Sequence, residues 1–277
     1  MTKEVPGNAL RIALIGATGR MGQAIVRAGV ADRSASVVAA VASAGSKSAG
    51  RDAGEVAGLA PLGVRVLADV PPDLAGAQVA IDFSRPELSL LALDACRVAR
   101  VPVVIGTTGH GAELESRVAA AARDIAVLVA PNTSIGVAVA QALVRLAAQA
   151  LPADFDVEIV EVHHKYKLDA PSGTALALAE SAAQARGLDP TTDVVAGRAG
   201  QGARREGEIG IASIRAGDVV GTHTVWFAGA GERLMVTHEA TDRAIFARGA
   251  LRAAAWLAAQ KPGRYGMANV LGLKTSG

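Results

Sequence analysis

Residues 10–22 read LRIALIGATGRMG, and the change of pattern inside them decides the fold. Leu10, Ile12, Leu14 and Ile15 form an apolar run of strand length. Gly16, Gly19 and Gly22 follow at three-residue steps, and RMGQAIVRAGV then carries helical spacing. A strand, a glycine turn and a helix in that order open a βαβ unit. The G-x-x-G-x-x-G spacing varies the dinucleotide fingerprint: a tight turn, close backbone approach to a pyrophosphate, and an anion held at a helix N-terminus. Arg20, within the turn, can add charge-assisted hydrogen bonds to phosphate. The plainer alternative is a turn that only packs strand on helix; its place at the head of a βαβ series favours the cofactor.

Outward from that turn the same alternation continues. ASVVAAVA (35–42), GVRVLAD (63–69), VAIDFS (79–84), VPVVIGT (101–107) and IAVLVAP (125–131) read as further strands, with helical segments such as PELSLLALDACRVA (86–99) between them. Segment 43–62 reads as a loop with little regular structure. Strands of this kind build a parallel sheet covered on both faces. Ligands then gather beyond the strands' carboxyl ends, which places Phe83, Ser84 and Arg85, and Gly106, Thr107 and Thr108, on the cofactor side. The second strand ends in Ala42 and Ser43, with no acid before Asp52 to hold adenosine ribose hydroxyls. Nothing there repels a 2′-phosphate, and Ser43, Ser46 or Lys47 can bind one. The expectation is NADPH accepted at least as well as NADH.

After residue 134 the pattern changes. A helix over about 135–150 leads to FDVEIVEV (155–162), which alternates like a strand, and TALALAESAAQA (174–185) reads as a helix. Between them lies HHKYKLDAPSG (163–173), a polar strand-to-helix loop. EIGIASIRAGDVVGTHTVWFAGAGERLMVTHEA (208–240) shows three alternating runs and predicts an antiparallel meander. GRAGQGARREGE (197–208) predicts a mobile surface loop, and RAIFARGALRAAAWLAAQ (243–260) a helix returning to the first domain. The fold class is α/β: an N-terminal Rossmann-like doubly wound parallel sheet, 1–134 plus 242–277, with an inserted α+β domain of mixed sheet, 135–241. Hinges are expected near 132–136 and 241–246.

Composition excludes several classes. Half of the residues (51%) are hydrophobic, so a packed core is available, and the longest apolar stretch, IGVAVAQALVRLAAQAL (135–151), is broken by Gln141, Arg145 and Gln149 at four-residue steps, so no membrane partner is expected. A net charge of +2 with 3% aromatics excludes the basic-aromatic surface that single-stranded nucleic acid needs. The lone Cys96 fits a reducing cytoplasm, and MTKEVPGNALRIALIG has no signal-peptide pattern. The expected location is cytoplasmic.

In the polar loop, adjacent histidines on extended backbone point opposite ways and do not chelate one metal, so no metal is expected. The loop offers instead a titratable acid, a lysine and a helix start at Ser172–Thr174, a set suited to an anionic substrate that is protonated as it is reduced. His110, His223 and His238 read as ordinary core or surface histidines.

The motifs GATGRMG (16–22), IDFSRPE (81–87), VIGTTG (104–109), HHKYKLDAPSGTALA (163–177), IGIASIRAGDVVGTHTV (209–225) and GERLMVTHEATDRAIFARGALRAAAWL (231–257) together resemble the dihydrodipicolinate reductase (4-hydroxy-tetrahydrodipicolinate reductase) family, nearly end to end. The histidine block carries the specificity. The resemblance implies His163 as the catalytic proton donor and acceptor, Lys167 as a proton donor, and His164, Gly173 and Thr174 as substrate-binding positions. It implies cofactor contacts at Gly16, Ala17, Thr18, Gly19, Arg20 and Met21, at Phe83 and Arg85, at Gly106, Thr107 and Thr108, and at Ala130, Pro131, Asn132 and Thr133. It implies a cyclic dicarboxylate substrate, a role in lysine and diaminopimelate synthesis, and a homotetramer. Members commonly carry Glu-Arg where this chain has Ala42–Ser43. The alternatives are another two-domain NAD(P)-dependent amino-acid or sugar dehydrogenase, or a dinucleotide sensor without turnover.

Overall fold

The computed structural model describes residues 9–43 and 45–273. Residues 1–8, part of the stretch inspected for a signal peptide, lie outside them. In chain order the first elements are β1 (Leu10–Ile15), α1 (Arg20–Asp32), β2 (Ala35–Val41), α2 (Ala53–Val56), β3 (Val66–Leu67) and β4 (Val79–Asp82). Then come α3 (Pro86–Ala99), β5 (Val103–Ile105), α4 (Ala112–Ala121), β6 (Ala126–Val129), α5 (Ile135–Ala150), β7 (Asp156–His163) and α6 (Gly173–Arg186). The chain closes with α7 (Pro190–Asp193), β8 (Val194–Ala196), β9 (Ile209–Arg215), β10 (Gly221–Ala228), β11 (Arg233–Ala240), α8 (Ala244–Leu257), β12 (Gly263–Tyr265) and α9 (Met267–Val270). It divides into two compact units, Met1–Ile135 with Ala244–Gly277, and Gly136–Arg243.

The first unit is a seven-stranded parallel sheet in the order β12-β6-β5-β4-β1-β2-β3. All four residues of β4 and all three of β5 are buried, as strands covered on both faces require. α8 packs on α1, β4 and β5, so the C-terminal helix belongs to this sheet. The chain winds outward from β1 in one direction and from β4 in the other. The switch point therefore falls between β1 and β4, where parallel sheets leave a crevice at the strands' carboxyl ends. Segment 43–62 contains one helical turn, α2, organised by Asp52, whose carboxylate accepts from the amides of Gly54, Glu55, Leu62 and Val64.

The second unit is a mixed sheet in the order β11-β10-β7-β9-β8. The expected meander is only partly present. β10 and β11 form an antiparallel hairpin, but β7 lies between β9 and β10, and β9 runs parallel to β7. The Ala216–Asp218 segment is therefore a crossing over the end of β7, pinned by Ala216 N–H to His163 O (2.8 Å) and Lys165 N–H to Gly217 O (3.2 Å). Alternation within β9 was readable, but three alternating runs do not say which neighbours pair.

One face of this sheet is the unit's core. Val157, Ile159, Ile209, Ile211, Val225 and Phe227 pack against alanines and leucines of α5 and α6. Each such side chain contributes roughly 1.5–3 kcal/mol by burial, which commits that face of β7 to the interior. Two and four residues beyond Ile159 on that face stand Glu161 and His163, so the same alternation carries a carboxylate and an imidazole inward. The arginines of 197–208 are tethered rather than loose: Arg204 reaches Asp156 (2.7 Å) and Glu158 (3.1 Å), and Arg198 reaches Glu158 (2.7 Å) and Glu208.

Candidate active site

At the carboxyl edge of the parallel sheet, Gly16 has φ +82°, and its amide and that of Ala17 both donate to Val41 O (2.8 and 2.9 Å). The turn is thus fastened to the end of β2, beside Ala42 and Ser43. An added Cβ on Gly16 would stand 2.2 Å from Phe83 O, and one on Gly22 2.3 Å from Gly16 O. The turn lies flush against the β4 loop on one side and the first turn of α1 on the other. Gly19 caps α1 with no side chain, which leaves the opening amides at Arg20, Met21 and Gly22 to an anion. Thr18 is half-buried, whereas Gly19 and the Arg20 side chain are exposed. These features fit a dinucleotide pyrophosphate.

The neighbouring strand ends are locked together by Asp82, which the sequence reading passed over. Its buried carboxylate accepts from Thr107 Oγ1 (2.8 Å), Ser84 Oγ (2.5 Å) and Ser84 N–H (3.1 Å). Burial raises its pKa, opposed by the hydrogen bonds from Ser84 and Thr107. Phe83 lays its ring where a side chain on Gly106 would be. Thr108 and Arg85 are exposed at this edge, and Ala130 donates its amide to Ile105 O (2.9 Å). Pro131 is exposed, and Asn132 Oδ1 accepts from Ser134 N–H (2.9 Å). The Thr133 hydroxyl donates to Phe246 O (2.7 Å) and is buried, so that side chain serves the fold. Gly16 to Met21, Ser43, Phe83, Arg85, Gly106 to Thr108 and Ala130 to Thr133 all follow the ends of β1, β2, β4, β5 and β6, one edge of one sheet.

In the second unit the polar residues meet at the end of β7. His163 Nδ1 lies 2.5 Å from Glu161 Oε2. Arg215 grips the same carboxylate with both nitrogens, Nη1 to Oε2 at 2.8 Å and Nη2 to Oε1 at 2.9 Å. The Ser172 amide donates to Oε1 (3.2 Å), joining the start of α6 to Glu161. Glu161 is completely buried. Burial pushes its pKa up, but the hydrogen bonds from Arg215, His163 and Ser213 prevail and hold it at about 2. His163 is drawn below its usual value, first by burial and further by Lys167 and Arg215, against the pull of Glu161.

Lys167 Nζ pairs with both oxygens of Asp169 (2.9 and 2.8 Å), and its amide closes a turn on His164 O (3.1 Å). His164 follows the end of β7, half-buried, with its ring 6.5 Å from that of Tyr166. Ser172 caps α6, accepting from Ala175 N–H (3.2 Å), and Gly173 and Thr174 form the helix's first turn. Among the described residues no cluster of three or more His, Cys, Asp or Glu can hold a metal.

His223, read as an ordinary core or surface histidine, is a core one, and its contacts lead to the same cluster. It is buried directly across from Glu161 on β10, stands T-shaped to His163 (5.0 Å between ring centroids), and its Nε2 meets Ser172 Oγ at 2.9 Å. Burial, with some repulsion from His163, lowers its pKa to about 4. Being neutral in the fold and normally titrating near ~6.5 when unfolded, it stabilises fully above that value and loses its contribution as pH falls towards 4. The loss is about 3 kcal/mol. Urea midpoints should therefore fall from pH 7 to pH 4.5, and His223→Gln should flatten the decline; an equally steep decline in that variant refutes the assignment.

Reduction of a small anion needs a hydride carrier and a proton source, and the two units carry groups suited to one each; the class so defined is the two-unit nicotinamide-dependent oxidoreductases. Comparison with known proteins narrows it. Residues 10–133 match the family model described as dihydrodipicolinate reductase, N-terminus, and residues 136–271 the model described as dihydrodipicolinate reductase, C-terminus. A 4-hydroxy-tetrahydrodipicolinate reductase of Anaeromyxobacter dehalogenans is 51% identical over 95% of this chain and 98% of its own length. One of Rhizobium rhizogenes is 48% identical over 97% and 98%. The structure of a dipicolinate-bound dihydrodipicolinate reductase from Paenisporosarcina sp. TG-14 superposes with a TM-score of 0.74 at 27% identity, over 94% of this chain and 99% of that one. The chain belongs to the dihydrodipicolinate reductase family.

Proposed function

We propose that the chain catalyses reduction of 4-hydroxy-tetrahydrodipicolinate to tetrahydrodipicolinate, with NADPH used at least as well as NADH. Substrate, NAD(P)H and a proton give product, NAD(P)⁺ and water. A bound reduced nicotinamide supplies the hydride, and the turn from Gly16 to Met21 with the loops at Phe83, Arg85, Gly106 to Thr108 and Ala130 to Thr133 would hold it. The observation that carries the reading is the His163–Glu161 contact beside the start of α6, in a chain of this family.

An ionised carboxylate only accepts, so Glu161 requires the proton on His163 Nδ1 and leaves Nε2 with a lone pair. Burial keeps His163 neutral at rest. It therefore takes up a proton only as negative charge arrives, and hands it on. Lys167, ion-paired to Asp169, is the standing cationic proton source. Gly173 and Thr174, at the positive end of α6, and His164 hold the substrate's carboxylates.

The first unit is the dinucleotide-binding domain and the second binds substrate and carries the oligomer contact. The sheet face away from α5 and α6 displays Met235 and Ile214, 52% and 46% exposed, with Val160, Val162 and Trp226, an apolar surface suited to a homotetramer. Cofactor choice rests on the end of β2: Ala42 is buried with its amide on Leu67 O, and Ser43 is half-buried. With substrate generated in the assay, kcat/KM for NADPH should equal or exceed that for NADH. A ratio of more than about tenfold towards NADH, or no oxidation of either, overturns the proposal.

A further inference from the structure

Glu161 is a fully buried carboxylate on the face of β7 that carries Val157 and Ile159. A buried ion pair is poor value as a source of stability, because desolvation offsets most of the attraction; an apolar residue there would hold the sheet as well. The contacts point to another use. One oxygen accepts from Arg215 Nη1 and lies 2.5 Å from His163 Nδ1, and the other accepts from Arg215 Nη2 and the Ser172 amide. Arg215 Nη2 also donates to Asp169 O (2.6 Å), in the loop that carries Lys167 and in the residue whose carboxylate holds the Lys167 ammonium. The pair thus touches the supports of both residues read above as handling protons.

We propose that Glu161 and Arg215 are positioning residues. Glu161 fixes His163 as the Nδ1–H tautomer with Nε2 as its working nitrogen, and Arg215 ties the Lys167 loop to the same anchor. The proposal rests on the reading of His163 and Lys167 as the proton-handling pair. Gly221 beside the ring is consistent with a reserved nitrogen: an added Cβ would stand 3.0 Å from His163 Nε2. The charged and titratable groups facing His163 are Glu161 on its own strand, Arg215 on β9, His223 on β10 with His238 paired to it on β11, and Lys167 with Asp169 on the loop.

Side-chain nitrogen spectra of full-length protein labelled with ¹⁵N-histidine test this, with His163 assigned by the signal lost in His163→Gln. The wild type should show His163 protonated at Nδ1 and bare at Nε2 above its titration; an Nε2–H tautomer overturns the proposal without recourse to any positioning variant. Glu161→Gln should lose that preference, move the acidic limb of the kcat profile about one unit lower, and reduce kcat about 10- to 100-fold with the NADPH Kd within about twofold. An unchanged tautomer and profile in that variant overturn the role of Glu161. Arg215→Lys keeps a partner for Glu161 but loses the fork that also reaches Asp169. It should retain the tautomer and lose about tenfold in kcat; kcat within twofold of wild type overturns the role of Arg215. A His163→Gln enzyme with wild-type kcat would instead overturn the underlying proton-handling reading, whatever the tautomer proves to be.

Discussion

Lys167→Ala is expected to lower kcat by about 10²- to 10³-fold while the Kd for NADPH stays within about twofold. The split follows from where the residue sits. Lys167 lies in the loop between β7 and α6, whereas every glycine and hydroxyl proposed to hold the dinucleotide follows a strand of the other unit. Its ammonium is held by Asp169, whose side chain is 64% exposed, so removing it leaves behind a carboxylate that water can solvate rather than a buried unpaired charge. The loss should therefore appear in turnover rather than in folding. Lys167→Arg sharpens the test. Arginine keeps the charge and can still attract a carboxylate, but its guanidinium does not release a proton near neutral pH. KM should recover in that variant and kcat should not. Steady-state kinetics with a fluorescence titration of NADPH decide it, and a Lys167→Ala enzyme within about fivefold of wild-type kcat removes Lys167 from the chemistry.

The proposed partners of Lys167 show what a single sequence does and does not disclose. DVEIVEVH alternates with period two, and once Val157 and Ile159 are read as core, Glu161 and His163 must point the same way. That signal was present. It had no partner in the local sequence to give it meaning, because the compensating charge, Arg215, lies 54 residues away and belongs to a strand whose neighbour was misread. Placing β9 beside β7 in parallel, rather than beside β10, is what brings Arg215 level with His163. His223 was hidden by the same misreading, since its position opposite Glu161 follows from pairing and not from spacing. On the dinucleotide side the local pattern sufficed for the strands, the glycine turn and the loop ends, because each follows from nearest neighbours in sequence. The exceptions there are again long-range: β12, three residues with no apolar run, exists because β6 offers it an edge, and Asp82 acquires its role from Thr107 in the loop that follows the neighbouring strand β5.

Gly16→Ala is expected to weaken NADPH binding at least tenfold and to lower the melting temperature by about 4–8 °C, the equivalent of roughly 2 kcal/mol. Two independent penalties act at this position. The backbone is left-handed, φ +82°, where an L-residue with a Cβ is strained. The new methyl would also meet Phe83 O at 2.2 Å, Phe83 C at 2.7 Å and Ser84 Cα at 3.0 Å, all backbone. No rotamer relieves that overlap. Either the β1 turn or the β4 loop moves, and the β4 loop is fastened through Ser84 to Asp82 and Thr107. A displacement near 1 Å at the pyrophosphate is enough to disturb hydrogen bonds made by backbone amides. Gly19 supplies the control from the same turn. Its φ is −73°, and an added Cβ would have its nearest neighbour, Gly16 O, at 3.3 Å, so Gly19→Ala should bind NADPH within about threefold of wild type. Equal Kd values for the two alanine variants would mean that the left-handed turn against Phe83 does not shape the cofactor site. A selective loss in Gly16→Ala, set beside undisturbed NADPH binding in Lys167→Ala, would assign nucleotide affinity to the end of β1 and proton transfer to the end of β7.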